Sequence, residues 1–150
     1  MTFAILGACG GFLIAVLWMD LMFDVQTLRQ REHPLPEAVL DSIAAYYRRV
    51  TTEASPMGRL VGVVMAAGVA TVIVQLGMGP ARWVSAISLL LLAPPLGLAQ
   101  LRIIPAAIRL GAQQDTAETQ TRLAREICRD HLICLAALVA LTALQLLSAA

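Results

Sequence analysis

Asp20 and Asp24 stand four residues apart in LWMDLMFDVQ, residues 17–26, at the close of an apolar run that opens FAILGACGGFLIAV. On a helix that spacing places both carboxylates on one face, one turn apart. Two acids so placed can share a cation, pass a proton or hold a basic partner. Two other residues are out of keeping with their surroundings. Arg102 follows the apolar run ISLLLLAPPLGLAQL, and His131 precedes another, LICLAALVALTALQLL. Asp20, Asp24, Arg102 and His131 are the candidate binding residues.

The elements that must position them are membrane spans. Of 150 residues 59% are apolar and 14% charged, and mean hydropathy is +0.76, outside the range of soluble domains. Four runs, 3–22, 58–77, 83–101 and 132–148, approach the roughly 20 residues that cross about 30 Å of hydrocarbon. The first has no basic n-region and no A-x-A site before its polar turn, so it reads as a retained helix rather than a signal peptide. The fold expected is all-α and integral to the membrane: a four-transmembrane-helix bundle forming a single polytopic domain, 1–150.

Charge orients it. There is no lysine, and the basic residues are 11 arginines. Only Arg82 falls at the start of span 3, while the rest cluster at the other end. The positive-inside rule then puts both termini outside and both long loops in the cytoplasm. Those loops also carry Glu32, Glu37, Asp41, Glu53, Asp115, Glu118, Glu126 and Asp130, which speaks against a nucleic-acid partner. Lysine-free, alanine-rich usage suggests a GC-rich bacterial genome, and so a multi-pass protein of the bacterial inner membrane.

Between spans 1 and 2, residues 35–50 repeat at helical spacing, with Val39, Leu40, Ile43, Tyr46, Tyr47 and Val50 on one side. This predicts an amphipathic helix lying in the inner interface, its tyrosines at headgroup depth. Ser55-Pro56 suits the N-cap and first position of span 2. Pro94, Pro95 and Pro105 predict a kinked span 3, followed by a short extension ending near Gly111. Span 4 is expected to begin outside the membrane near Asp115, with Glu118–Arg122 in favourable i,i+4 order. Its opposite side carries Ala124, Ile127, His131 and Leu135, which turns His131 into the bundle.

Small residues recur at four-residue spacing: Gly7 and Gly11, then Gly62, Ala66 and Ala70, Ala93 and Gly97, Ala136 and Ala140. Such stripes let helices approach closely in lipid. They exceed what one bundle needs, so a homo-oligomer or a partner membrane subunit is expected besides the bilayer. Trp18 and Trp83 read as anchors at the two faces. Cys9, Cys128 and Cys134 form no CxxC pair, and their depths put Cys9 too far from the others to bridge.

Counted from Phe3 at about 1.5 Å per residue, Asp20 lies about 26 Å along its helix, at the inner edge of the hydrocarbon. Arg102 and His131 reach the same level. The plainest expectation is an ion pair of Asp20 or Asp24 with Arg102 that sets helix register, with His131 satisfied by a hydrogen bond. The sharper one is a cytoplasm-facing polar pocket for an ion or small ligand, favouring a transport or channel role. A membrane-embedded enzyme would use His131 and Asp20 as acid and base, or a metal or redox centre, on a lipid-soluble substrate. An accessory subunit of a larger complex would use its cytoplasmic faces for docking. For a metal, Asp20, Asp24, His131 and Cys128 are the available ligands, without HExxH or paired histidines, and bis-histidyl haem would need His33. No motif names a cofactor.

Overall fold

The computed structural model describes residues 1–53, 55–78 and 82–149, apart from the side chains of Ser55 and Met78. Among them the order is α1 (Thr2–Asp24), α2 (Gln26–Arg29), α3 (Glu37–Arg48), α4 (Ser55–Met78), α5 (Arg82–Leu98), α6 (Ile104–Ala112) and α7 (Ala117–Ala149). Wider π turns at Arg49–Glu53 and Ala99–Ile103 follow α3 and α5. The spans Thr2–Arg29, Pro56–Gly77, Arg82–Ala112 and Ala117–Ala149 are all long and apolar enough to cross a membrane. The expected N-cap role of Ser55 rests on a side chain outside the described residues.

α1 is apolar all round, so side-chain shape selects its buried face. Leu6, Gly10, Leu13, Leu17, Leu21 and Asp24 follow one another at three- and four-residue steps into the core. That face packs chiefly on α7, which also contacts α5, so α7 lies between α1 and α5. At Gly10 the helices meet closely, since a Cβ there would collide with the hydroxyl of Thr142. The sequence stripes divide accordingly. Gly7 packs inside and Gly97 is half-buried, whereas Gly11, Gly62, Ala66, Ala70, Ala93, Ala136 and Ala140 are exposed. An added Cβ at Gly62 would meet nothing within 4 Å.

Span 3 remains continuous through its prolines. Pro94 and Pro95 sit within α5, and Pro105 opens α6. The π turn at Ala99–Ile103 widens the winding where the Leu101 carbonyl would find no N–H donor at Pro105. The extension ends near Gly111 as expected, at Ala112, and Gln113 rather than the glycine takes the left-handed cap at φ 53°. Gly111 instead lets α6 touch α3, for a Cβ there would stand 2.8 Å from the backbone nitrogen of Arg48. Arg48 Nε donates to the Gly111 carbonyl at 3.1 Å, and its guanidinium also reaches Gln113.

α3 covers most of the helix expected over 35–50. Leu40, Ile43, Ala44 and Tyr47 are buried against protein, with α6, α7 and α1 as neighbours. Its apolar face meets the bundle mouth. The chain leading to it runs along α7, where Arg125 donates to the Glu32 carbonyl at 2.8 Å and Leu35 N–H to Thr121 Oγ1 at 2.9 Å. On α7 itself Arg122 pairs forward with Glu126 at 3.4 Å rather than back with Glu118. Trp18 and Trp83 both face outward.

Candidate functional site

Five polar groups, three of them expected, converge where α1, α3 and α7 meet. Asp24 is fully buried, and His131 is 3% exposed. His131 Nδ1 lies 2.6 Å from Asp24 Oδ2, so the ring N–H donates to a carboxylate that only accepts. Tyr47 donates to the other oxygen of Asp24 at 2.6 Å. Tyr46 donates to Asp20 Oδ1 at 2.5 Å, while Asp20 Oδ2 faces His131 Nε2 at 3.9 Å. One imidazole thus stands between two carboxylates, each held by a phenol from α3. The spacing of Asp20 and Asp24 answers to the two sides of the His131 ring and to the consecutive tyrosines opposite.

Aromatic packing sets the phenols. Phe23 stacks on Tyr46 with centroids 4.1 Å apart, and Tyr46 meets Tyr47 edge-on at 5.3 Å. Burial, then the nearby charge of Asp20, pushes the Tyr46 hydroxyl above its usual range. Burial and the charges of Asp24 and Asp20 push Tyr47 up further. Both stay protonated, as donors must.

Arg102 is not part of this network. Its Nε pairs at 2.8 Å with Asp130 Oδ2, and Arg129 holds the other oxygen at 3.1 Å. The expected pairing with Asp20 or Asp24 fails because α7 separates α1 from α5: acids of α1 reach His131 on one side of α7, and Arg102 reaches Asp130 on the other. Asp130, 2% exposed, was missed as a partner, although it adjoins His131 at the depth where Arg102 needs an acid. Tyr46 and Tyr47 were missed as acid partners too. Their signal was a tyrosine pair on an apolar helix face, one short loop from two acids.

Two surface depressions lie near the bundle mouth, apart from the His131 network. A depression of about 520 Å³ is lined by His33, Arg122, Arg125 and Arg129 among others. A second of about 370 Å³ lies between α6 and α7. Neither is lined by Asp20, Asp24 or His131. Among the described residues no three His, Cys, Asp or Glu side chains form a group that could hold a metal.

The far end carries a neutral counterpart. Gln75 of α4 donates to Gln145 Oε1 of α7 at 3.1 Å, and Gln145 donates to Ser88 Oγ of α5 at 2.7 Å. Gln75 Oε1 and Thr142 Oγ1 are buried there without a partner.

Four apolar helices enclosing a polar mouth define a small, multi-pass α-helical membrane protein. The sequence pattern of the SHR3 chaperone family, described as ER membrane protein SH3, matches residues 1–147. The chain belongs to that family. No curated protein and no solved structure gives a significant match. The family match corrects the expectation of a bacterial inner-membrane protein: the family is one of the eukaryotic endoplasmic reticulum membrane. Arginine-only basic usage follows genome base composition and carries no information about the kingdom, whereas apolar span length is common to both membranes.

Proposed function

We propose that the chain acts as an intramembrane accessory protein, a chaperone for other polytopic membrane proteins of the endoplasmic reticulum, with both termini in the lumen and both long loops in the cytosol. The family description supplies the word chaperone, and the arginine bias supports the orientation. The structural observation that carries the reading is the outward stripe of α4. Gly58, Gly62, Ala66 and Ala70 are exposed, and side chains added at Gly58 or Gly62 would meet nothing of this protein. A small-residue stripe on a lipid-facing helix suits transient approach by another protein's helix.

The binding residues read from the sequence take a positioning role in this proposal. Asp20, Asp24 and His131 hold α3 over the bundle mouth, and Arg102 ties span 3 to span 4. A transport path would need Asp20, Asp24 and His131 free to meet an ion, and each has a partner within the chain.

The test replaces the α4 stripe without touching the core. Gly62→Leu with Ala66→Leu should leave the thermal stability of the purified protein within about 0.5 kcal/mol, as for exposed sites. In cells lacking the chain, newly made polytopic membrane proteins should aggregate. Wild-type protein should restore them, and the double variant should not. Full restoration by the double variant would remove α4 as the docking face. Normal membrane-protein folding without the chain would remove the chaperone reading itself.

A further inference from the structure

We propose that the cleft between α6 and α7 binds the headgroup of an anionic phospholipid, with the phosphodiester at Arg102. The cleft, about 370 Å³, is lined by Arg102, Arg109, Arg122 and Glu126, with the buried Leu123 and the exposed Leu101 beside them. Three guanidiniums and one carboxylate line its walls, so the groups that face the opening are mostly donors. Its volume falls within the range of small-molecule sites, about 300–1,000 Å³.

Each arginine is oriented by an acid and keeps donors free. Arg102 Nε is on Asp130 at 2.8 Å, Arg109 Nη2 on Asp115 at 2.8 Å, and Arg122 Nη1 on Glu126 at 3.4 Å. Asp130 and Asp115 do not line the cleft, so they fix the guanidiniums from behind. A guanidinium has five N–H donors, and these bonds take one nitrogen each. Phosphate is the anion whose geometry a fork of such donors fits best.

Depth identifies the ligand as a lipid. Arg102 follows Arg82 by about 30 Å of helix at about 1.5 Å per residue, the thickness of the hydrocarbon. Asp130 lies about 28 Å from Ala149 on α7 by the same rise. The pair therefore marks the edge of the acyl layer. Arg109 and Arg122 stand about 10–12 Å further out, beside the headgroups. Leu101 is 80% exposed, Ile108 50% and Ile104 43%, an apolar flank for acyl chains at the same end. An ion drawn from solution would need no such flank.

Native mass spectrometry of the full chain in micelles containing phosphatidylinositol or phosphatidylcholine tests this. Phosphatidylinositol should be retained in preference. Arg109→Gln and Arg122→Gln should each weaken retention about fivefold, the loss of about 1 kcal/mol per basic side chain near an anionic surface. Arg29→Gln removes an equal charge from an exposed position at the same end and should change little. Both cleft substitutions leave Asp130 paired, and an unchanged melting temperature shows that they fold. Equal retention of the two lipids, or an equal loss with Arg29→Gln, would overturn the site in favour of diffuse attraction. Glycerophosphoinositol binding as tightly as the intact lipid would overturn the lipid and point to a soluble phosphate.

Discussion

The bundle buries polar groups at both ends, and the two ends solve the problem differently. At the mouth, Asp20, Asp24 and His131 are ionisable, and every one of them is held by a partner on another helix. At the far end, Gln75, Gln145 and Ser88 are neutral and form a single ladder, with Gln75 Oε1 left over. Removing a partner from a buried charge strands the charge, whereas removing a neutral partner strands one amide or hydroxyl. Stability should therefore depend far more on the mouth than on the ladder, although both cross three helices.

The largest effect is expected at Asp24. Asp24→Ala leaves His131 and the Tyr47 hydroxyl buried together with no acceptor, and opens a cavity where the carboxylate stood. A loss of about 3–5 kcal/mol is expected, the scale for breaking a buried ionic pair from one side. Cys128 and Cys134 are free and buried, so in a Cys9→Ala background, which removes the partly exposed thiol, a thiol-reactive dye in detergent reports the unfolding temperature. A variant melting with the wild type would mean that the mouth is not what holds α3, and the comparison would collapse.

Tyr47→Phe should be milder, about 1–1.5 kcal/mol, because it removes one hydrogen bond and keeps the ring. The same phenols make the mouth sensitive to alkali. Burial and the neighbouring aspartates raise both tyrosines above the ordinary value of 10.0. Their stabilising contribution is complete below pH 10 and declines as pH rises past it, because the unfolded chain ionises first. Melting temperature should fall between about pH 10 and 12, and Tyr46→Phe with Tyr47→Phe should flatten that fall. An identical alkaline slope in the double variant would place the sensitive groups elsewhere.

Residues legible in the sequence were those whose environment is set by the helix they belong to. Hydropathy alone located the four apolar helices. Periodicity alone turned His131 inward, and small-residue spacing found the Gly7 approach to α7. The pairings were not legible, because they depend on which helices are neighbours. Arg102 and Asp20 share a depth, yet α7 stands between their helices. The apolar face of α3 fits a membrane surface as well as it fits a protein surface, and periodicity does not distinguish the two. Gly111 carried the usual sign of a helix end, but its missing Cβ serves contact with Arg48, a residue 63 positions earlier. The α4 stripe shows the same limit from the other side, since spacing reveals a close-approach surface without saying which way it faces.

The smallest effect should come from the ladder. Gln75 donates one bond to Gln145 but buries Oε1 unsatisfied. Gln75→Leu forfeits that bond, about 1 kcal/mol, and also removes an orphan acceptor whose burial costs about as much or more. Gln145 keeps its bond to Ser88, but its Oε1 takes the place of Gln75 Oε1 as the buried acceptor without a donor. The net loss is then the one bond, offset in part by the burial that a well-packed leucine of similar volume adds. The melting temperature of Gln75→Leu should therefore stay within a few degrees of the wild type. A fall as large as that of Asp24→Ala would show that Gln75 Oε1 is satisfied in the membrane, for example by water entering from the far face. In that case the two ends would be equally demanding, and the contrast between a charged mouth and a neutral ladder would no longer order their contributions.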